Sequence, residues 1–130
     1  MSRPRTKRSV KASADRLWSQ LVKARAGYEC ERCGATPEAQ KGFHSHHVYS
    51  RTNHRLRFEP RNGIAVDAAC HRWAEEYPIE FTDWFRETRP QDAVWLAEQN
   101  RKGLIKRNLD AYLEVEEKLK KALEVEQNGI

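Results

Sequence analysis

The stretch FHSHHVYSRTNHRLRFEPRNGIAVDAACHRWAEEY, residues 43–77, decides how this chain is read. It contains a short extended run, His44 to Tyr49, carrying the adjacent histidines His46 and His47. An irregular and strongly basic loop follows, Arg51 to Arg61, and ends on Asn62. Ile64-Ala65-Val66 is a short apolar strand, and Ala68 to Tyr77 has the pattern of a helix that Pro78 terminates. Cys70 and His71 stand side by side near the start of that helix. Upstream, Cys30-Glu31-Arg32-Cys33-Gly34 reads as a knuckle, with Gly34 suited to a tight turn after the second sulfur.

Sulfur and imidazole ligands are therefore interleaved along the chain. Cys-x-x-Cys lets two sulfurs reach one ion from a turn, and zinc takes four ligands in a tetrahedron. Cys70 is the third candidate. A second pair would place its other member three residues earlier, where this chain has Asp67. A carboxylate oxygen also binds zinc, so Cys30, Cys33, Cys70 and Asp67 form a candidate structural site, with His44 or His54 as alternative fourth ligands. The competing reading is three buried thiols acting as small hydrophobes, which fits the glycine-flanked turn less well.

Composition supports a metal staple. The chain has 130 residues, 38% hydrophobic and 33% charged, enough for one domain with a lean core. Three cysteines is an odd number, which suits reduced thiols on zinc better than a closed disulfide framework. Residues Met1 to Lys11 are polar and basic, without the apolar region of a secretory signal, and no apolar run approaches membrane-spanning length. The expectation is an intracellular protein with no membrane partner.

The net charge of +5 is unevenly spread. Residues 1–58 carry 13 Lys and Arg against 4 Asp and Glu, whereas residues 59–103 carry 6 against 9. Positive charge thus gathers in the half that holds Cys30, Cys33 and the paired histidines, which favours a polyanionic partner, most simply nucleic acid.

Hydrolysing a phosphodiester needs an activated water, a cation on the phosphate oxygens, and atoms that hold both in line. Neutral histidine serves as a base near neutral pH. Adjacent side chains diverge, so one of His46 and His47 can face a metal while the other faces the water. Asn62 and His71 are placed to converge on the same cation.

Read together, these residues resemble the HNH endonucleases, whose ββα-metal motif runs His-His, then Asn, then a final His on the helix. His46-His47-Val48-Tyr49-Ser50-Arg51 is similar to the family's first strand, Arg61-Asn62-Gly63-Ile64-Ala65-Val66 to its central Asn segment and second strand, and Asp67-Ala68-Ala69-Cys70-His71-Arg72-Trp73 to its Cys-x-x-Cys-His helix start. The likeness covers about residues 28–77 and departs from the pattern at Asp67, which stands where the family has a zinc cysteine. It implies an α+β fold: a small ββα-metal core with a zinc knuckle, surrounded by several helices. It also implies that His47 is the general base and that His46 and His71 bind the catalytic cation (Mg2+, Mn2+ or Ni2+). Asn62 would either ligate that cation or orient His47 and its loop. The metal would stabilise the pentavalent phosphorane and the departing 3′-oxygen, leaving a 5′-phosphate. Small HNH proteins of this kind occur near phage DNA-packaging genes, so the resemblance implies DNA, and a terminase or other DNA-processing protein, as partners. The alternative is a zinc-stabilised DNA-binding module, or a packaging accessory protein, that does not cut.

Arg51, Arg55, Arg57 and Arg61 flank the loop and are candidate phosphate contacts. The rest of the chain reads as helix. Residues 1–12 are expected as a disordered basic arm, 13–89 as the nuclease domain with its core at about 43–77, and 90–130 as a helical extension. A helix from about Ser13 to Ala26 puts Leu17, Trp18, Leu21 and Val22 on one face, with Gly27 at its end. The four tryptophans sit at amphipathic helical positions and read as packing residues. Asn108 can cap a final helix whose stripe of Tyr112, Val115, Leu119, Ala122 and Leu123 packs on the domain, leaving a monomer, or forms a dimer seam.

Overall fold

Thr6 opens the first helix. Its hydroxyl accepts from the backbone N–H of Ser9 while Ser9 Oγ accepts from that of Thr6, a reciprocal cap that starts α1 (Lys7–Arg25). The computed structural model describes residues 4–37 and 42–129. After α1 come β1 (Phe43–His47), a 3-10 turn (Pro60–Asn62), β2 (Gly63–Asp67), α2 (Ala68–Glu76), α3 (Pro78–Thr88), α4 (Pro90–Arg101) and α5 (Leu109–Asn128). The fold is α+β, as expected, and α2 follows β2 without a break.

The two strands pair antiparallel, with Phe43 opposite Asp67 and His47 opposite Gly63. Side chains alternate across such a pair, and that alternation organises the whole molecule. Ala65 and Phe43 join a core made with Val10, Ala14, Trp18, Leu21 and Val22 of α1 and Tyr112, Leu119 and Leu123 of α5. Ile64 and Val66 join a second core with Cys30, Leu56, Cys70, Ala74, Phe81, Phe85 and Leu96. The hairpin is therefore a shared wall between a two-helix layer, α1 with α5, and a three-helix layer, α2 to α4.

One boundary expectation changes. Helix α1 begins at Lys7, so residues 7–12 are not an arm; Val10 and Ala14 continue the apolar face and are fully buried. Residues 1–3 lie outside the described residues. The final helix packs on the rest of the fold. Asn108 Oδ1 accepts from Ala111 N at 2.9 Å to start α5, whose apolar stripe is used up against α1. Among the described residues, no helix is long and apolar enough to cross a membrane.

Candidate active site

The knuckle docks on the hairpin through backbone hydrogen bonds. Gly34 N donates to Cys30 O at 2.9 Å, closing the turn, and Glu31 N donates to Ala65 O at 2.8 Å. Gly34 has φ +78°, a conformation glycine adopts without steric cost. This brings Cys30 and Cys33 to the start of α2, where the ligand atoms of Cys30, Cys33, Asp67 and Cys70 lie within 4.8 Å of one another. Asp67 has two tasks. Its Oδ1 accepts from Cys70 N at 2.7 Å as the cap of α2, and its Oδ2 accepts from the Cys33 thiol at 3.0 Å.

Three sulfurs and a carboxylate are a donor set that could hold a metal such as zinc. Burial pushes the Cys70 thiol up to about 12, whereas for Cys30 surrounding backbone N–H groups outweigh burial and lower its pKa. The Asp67 carboxylate raises the pKa of Cys33. Neither His44 nor His54 belongs to this group. The Arg32 guanidinium, 3.6 Å from the centre of the Trp73 ring, donates to Cys70 Sγ at 3.5 Å.

The histidines sort by strand alternation. His44 and His46 stand opposite Val66 and Ile64 and face α2. There His46, His71 and Glu75 form a second group, also with ligand atoms within 4.8 Å. His71 and Glu75 are one helical turn apart on α2, with His71 Nε2 3.0 Å from Glu75 Oε1. The His46 ring meets those of His71 and Phe81 edge to face, at 5.1 and 4.9 Å between centres. Burial, reinforced by His71, lowers its pKa to about 4, which keeps the imidazole neutral and its lone pair available. Burial likewise lowers the pKa of His71.

His44 completes this arrangement from behind. Its Nδ1 lies 2.7 Å from Nδ1 of His71, so one of the two carries the shared hydrogen. With the hydrogen on His71, the lone pair of His71 Nε2 points towards Glu75, the tautomer that a cation between His46, His71 and Glu75 requires.

His47 faces the other way, towards α1. Its ring is stacked on that of Trp18, and its Nε2 donates to the Arg57 carbonyl at 3.0 Å. A carbonyl only accepts, so the ring proton sits on Nε2 and Nδ1 keeps a free lone pair. Arg57 is itself fixed by Asp15, through Nε and Nη2 at 3.0 and 2.8 Å.

Asn62 is fully buried and every polar atom of its side chain is engaged. Its Oδ1 accepts from Tyr49 N at 2.7 Å, and its Nδ2 donates to Tyr49 O and Leu56 O, both at 3.1 Å. Of the two roles open to it from the sequence, this geometry fits the second: the side chain pins the loop between the strands.

The loop arginines divide. Arg57 is buried on Asp15, Arg61 pairs with Asp92 at 2.7 Å and lies over the Trp95 ring, and Arg55 donates to Gly103 O and Lys102 O. These three tie the loop to α1, to α4 and to the residues following α4. Arg51 is exposed, and its side chain makes no hydrogen bond or ion pair among the described residues.

Sequence reasoning misses Glu75 and Trp18, and it gives His44 only an alternative place on zinc. Glu75 has a signal, four residues beyond His71 on a helix, and so does His44, two before His46 on a strand. Trp18 lies 29 positions before its partner on a separate helix and has none. Comparison with protein-family models, with curated proteins and with solved structures finds no match to this chain.

Proposed function

We propose that this chain is a metal-dependent endonuclease of the HNH kind, hydrolysing DNA phosphodiester bonds. The observation that supports it best is the pair of adjacent histidines with opposite environments. His46 meets His71 and Glu75 as a cation-binding set, while His47 is aligned by the Arg57 carbonyl with Nδ1 unencumbered.

In this reading His46, His71 and Glu75 hold the divalent cation. When bound, the cation supplies Lewis-acid neutralisation of charge on the phosphate and the leaving oxygen. His47 Nδ1 takes the proton from the attacking water. The Arg57 carbonyl stabilises the imidazolium so formed, since Nε2–H remains its donor. Asn62 keeps the loop closed over this arrangement, and Arg51 is the loop side chain left to meet a neighbouring phosphate. The thiolate group, with zinc, fixes the N-terminus of α2 and hence the position of His71.

The test is nicking of supercoiled plasmid by wild type and His47→Ala, in magnesium, manganese or EDTA. Relaxation that requires metal and is lost in the variant is the expected result. Intact plasmid in every lane, with DNA binding retained, would overturn the reading in favour of a zinc-stabilised binding module.

A further inference from the structure

We propose that the cleft between the first turns of α1, the β1–β2 loop and the segment joining α4 to α5 binds a backbone phosphate of nucleic acid, at a distinct subsite from the one the histidines serve. It rests on the nuclease reading and deepens it by giving the substrate a second point of attachment.

The cleft has a volume of about 210 Å3 and is lined by Lys7, Lys11, His54, Lys106, Arg107 and Tyr112, with no acidic residue in its wall. Lys7 and Lys11 are one turn apart, so they project from the same side of α1. None of Lys7, Lys11, Lys106 and Arg107 makes an ion pair among the described residues. Elsewhere Arg5, Arg57, Arg61 and Arg89 each meet a carboxylate. Of the acids near the cleft, Asp15 pairs with Arg57, and Glu59 attracts Arg107 but lies outside the cleft wall.

Two of the cations contact groups that carry no charge. Arg107 donates to the His54 carbonyl and lies 5.4 Å from the centre of the Phe58 ring. Lys7 Nζ lies 6.0 Å from the centre of the Tyr112 ring. The first turn of α1 carries no acid, so the positive end of its dipole adds the same sign. Burial and then Lys11, Arg57, Arg107 and Lys7 all act to keep His54 uncharged, which reports a positive potential at the cleft. Like charges assembled without a counter-ion repel one another, and an anion relieves that repulsion. A phosphate supplies both the charge and several acceptor oxygens for ammonium and guanidinium donors.

The cleft shares its loop with the histidine site. His54, held by Arg107, is three residues from Arg57, whose carbonyl holds His47. A phosphate bound here bears on the segment that aligns the base.

The experiment compares two triple variants of equal charge change, Lys7→Gln/Lys11→Gln/Lys106→Gln in the cleft and Lys118→Gln/Lys120→Gln/Lys121→Gln elsewhere on α5. Binding of a labelled DNA duplex is followed by anisotropy in EDTA over a salt series, so cleavage plays no part. The cleft variant should bind roughly tenfold or more weakly, with the salt slope reduced by about one for each phosphate it no longer engages. The α5 variant should stay near wild type. Equal losses in both, or none in the cleft variant, would overturn the site. Lys7→Glu/Lys106→Glu, at two exposed positions, replaces the cleft variant if Lys11→Gln lowers the melting temperature. In a second arm inorganic phosphate is titrated; binding of free phosphate to the cleft with unchanged duplex affinity in the cleft variant would overturn the nucleic-acid assignment. A duplex that binds through the cleft yet is never nicked would count against the nuclease reading alone.

Discussion

The imidazole of His47 lies flat on the indole of Trp18, with ring centres 3.8 Å apart and planes inclined by 8°. Trp18 is in turn fixed by its own Nε1, which donates to Glu59 O at 2.8 Å. The stack joins a residue of the hairpin to one of α1 and helps to bury the imidazole. Burial lowers the pKa of His47 below its ordinary 6.5, and the nearby Arg57 guanidinium acts in the same direction, against the Arg57 carbonyl, which favours the imidazolium.

The sign follows directly for activity. A general base works in its neutral form, and a lowered pKa extends that form to lower pH. The acid limb of metal-dependent nicking should therefore lie below pH 6.5. Single-turnover rates across about pH 5 to 8 will locate it. A limb at or above the ordinary histidine value would remove His47 from the role of base.

His44 is expected to act on metal binding without touching the metal. His44→Ala should weaken divalent-cation binding by about 10- to 100-fold, the range for lost support behind a ligating histidine. His44→Asn can still accept from His71 Nδ1 through its amide oxygen and should recover most of that loss. Calorimetric titration of the metal into each protein, with no DNA present, reads this directly. If Asn is no better than Ala, the 2.7 Å approach of the two rings is packing only.

Asp67 couples the sulfur site to α2, and its two oxygens can be separated by substitution. Asp67→Asn keeps an N-cap acceptor but removes the negative ligand, so zinc affinity should fall while the metal-free protein keeps its melting temperature. Asp67→Cys should bind zinc at least as tightly as wild type, yet lose a cap worth about 0.5–2 kcal/mol in the metal-free state. Competition with a chromophoric chelator and metal-free thermal melts measure the two effects. Equal zinc affinity in all three proteins would mean that Asp67 serves the helix alone.

The hairpin, the knuckle and α2 are legible in the sequence because they obey short-range rules. Period-two alternation separates His46 from His47, a glycine-flanked Cys-x-x-Cys makes a turn, and one helical turn relates Cys70 to the end of β2. What stays hidden is long-range. Arg57 and Arg61 look free on a basic loop, and only the folded chain brings Asp15 and Asp92 to them, 42 and 31 residues away. Residues 7–12 look disordered because charge dominates their composition, while Val10 and Ala14 find cover that α5 and the hairpin supply. Asn62 is ambiguous for the same reason: its type suits a ligand or a clamp, and the positions of Tyr49 and Leu56 decide between them.

Gly63 marks where α1 meets the hairpin, opposite His47. A Cβ there would overlap the side chain of Val22 and come within 2.9 Å of Trp18 Cζ2. Gly63→Ala should destabilise the protein by roughly 1–3 kcal/mol, as overpacking does. Because Trp18 is one of the displaced groups, the base should also lose alignment, so nicking should fall under conditions where the variant is still folded. Denaturant midpoints together with nicking rates test both parts; an unchanged midpoint would mean that α1 is less tightly seated than this close approach requires.

The N-terminal segment is fastened by Arg5, which grips Glu116 of α5 through two hydrogen bonds of 2.7 and 2.6 Å. The Arg5 hydrogen bond outweighs desolvation and holds the Glu116 carboxyl down at about 2, from an ordinary 4.5. For a depressed carboxyl the stabilisation is complete above the unfolded pKa and is lost as pH falls through the folded one. The pair should therefore contribute fully above pH 4.5 and lose its effect between 4.5 and about 2. Arg5→Ala removes the main cause of the depression and leaves Lys120 as the ion-pair partner, at 3.8 Å, so acid unfolding of that variant should begin at higher pH than in wild type. Glu116→Gln has no carboxyl to titrate, and its stability deficit against wild type should shrink steadily as pH falls through the same window. Circular dichroism across an acid titration of the three proteins is the check. Parallel acid curves for all three would show that the Arg5–Glu116 pair does not hold the segment before α1 in solution.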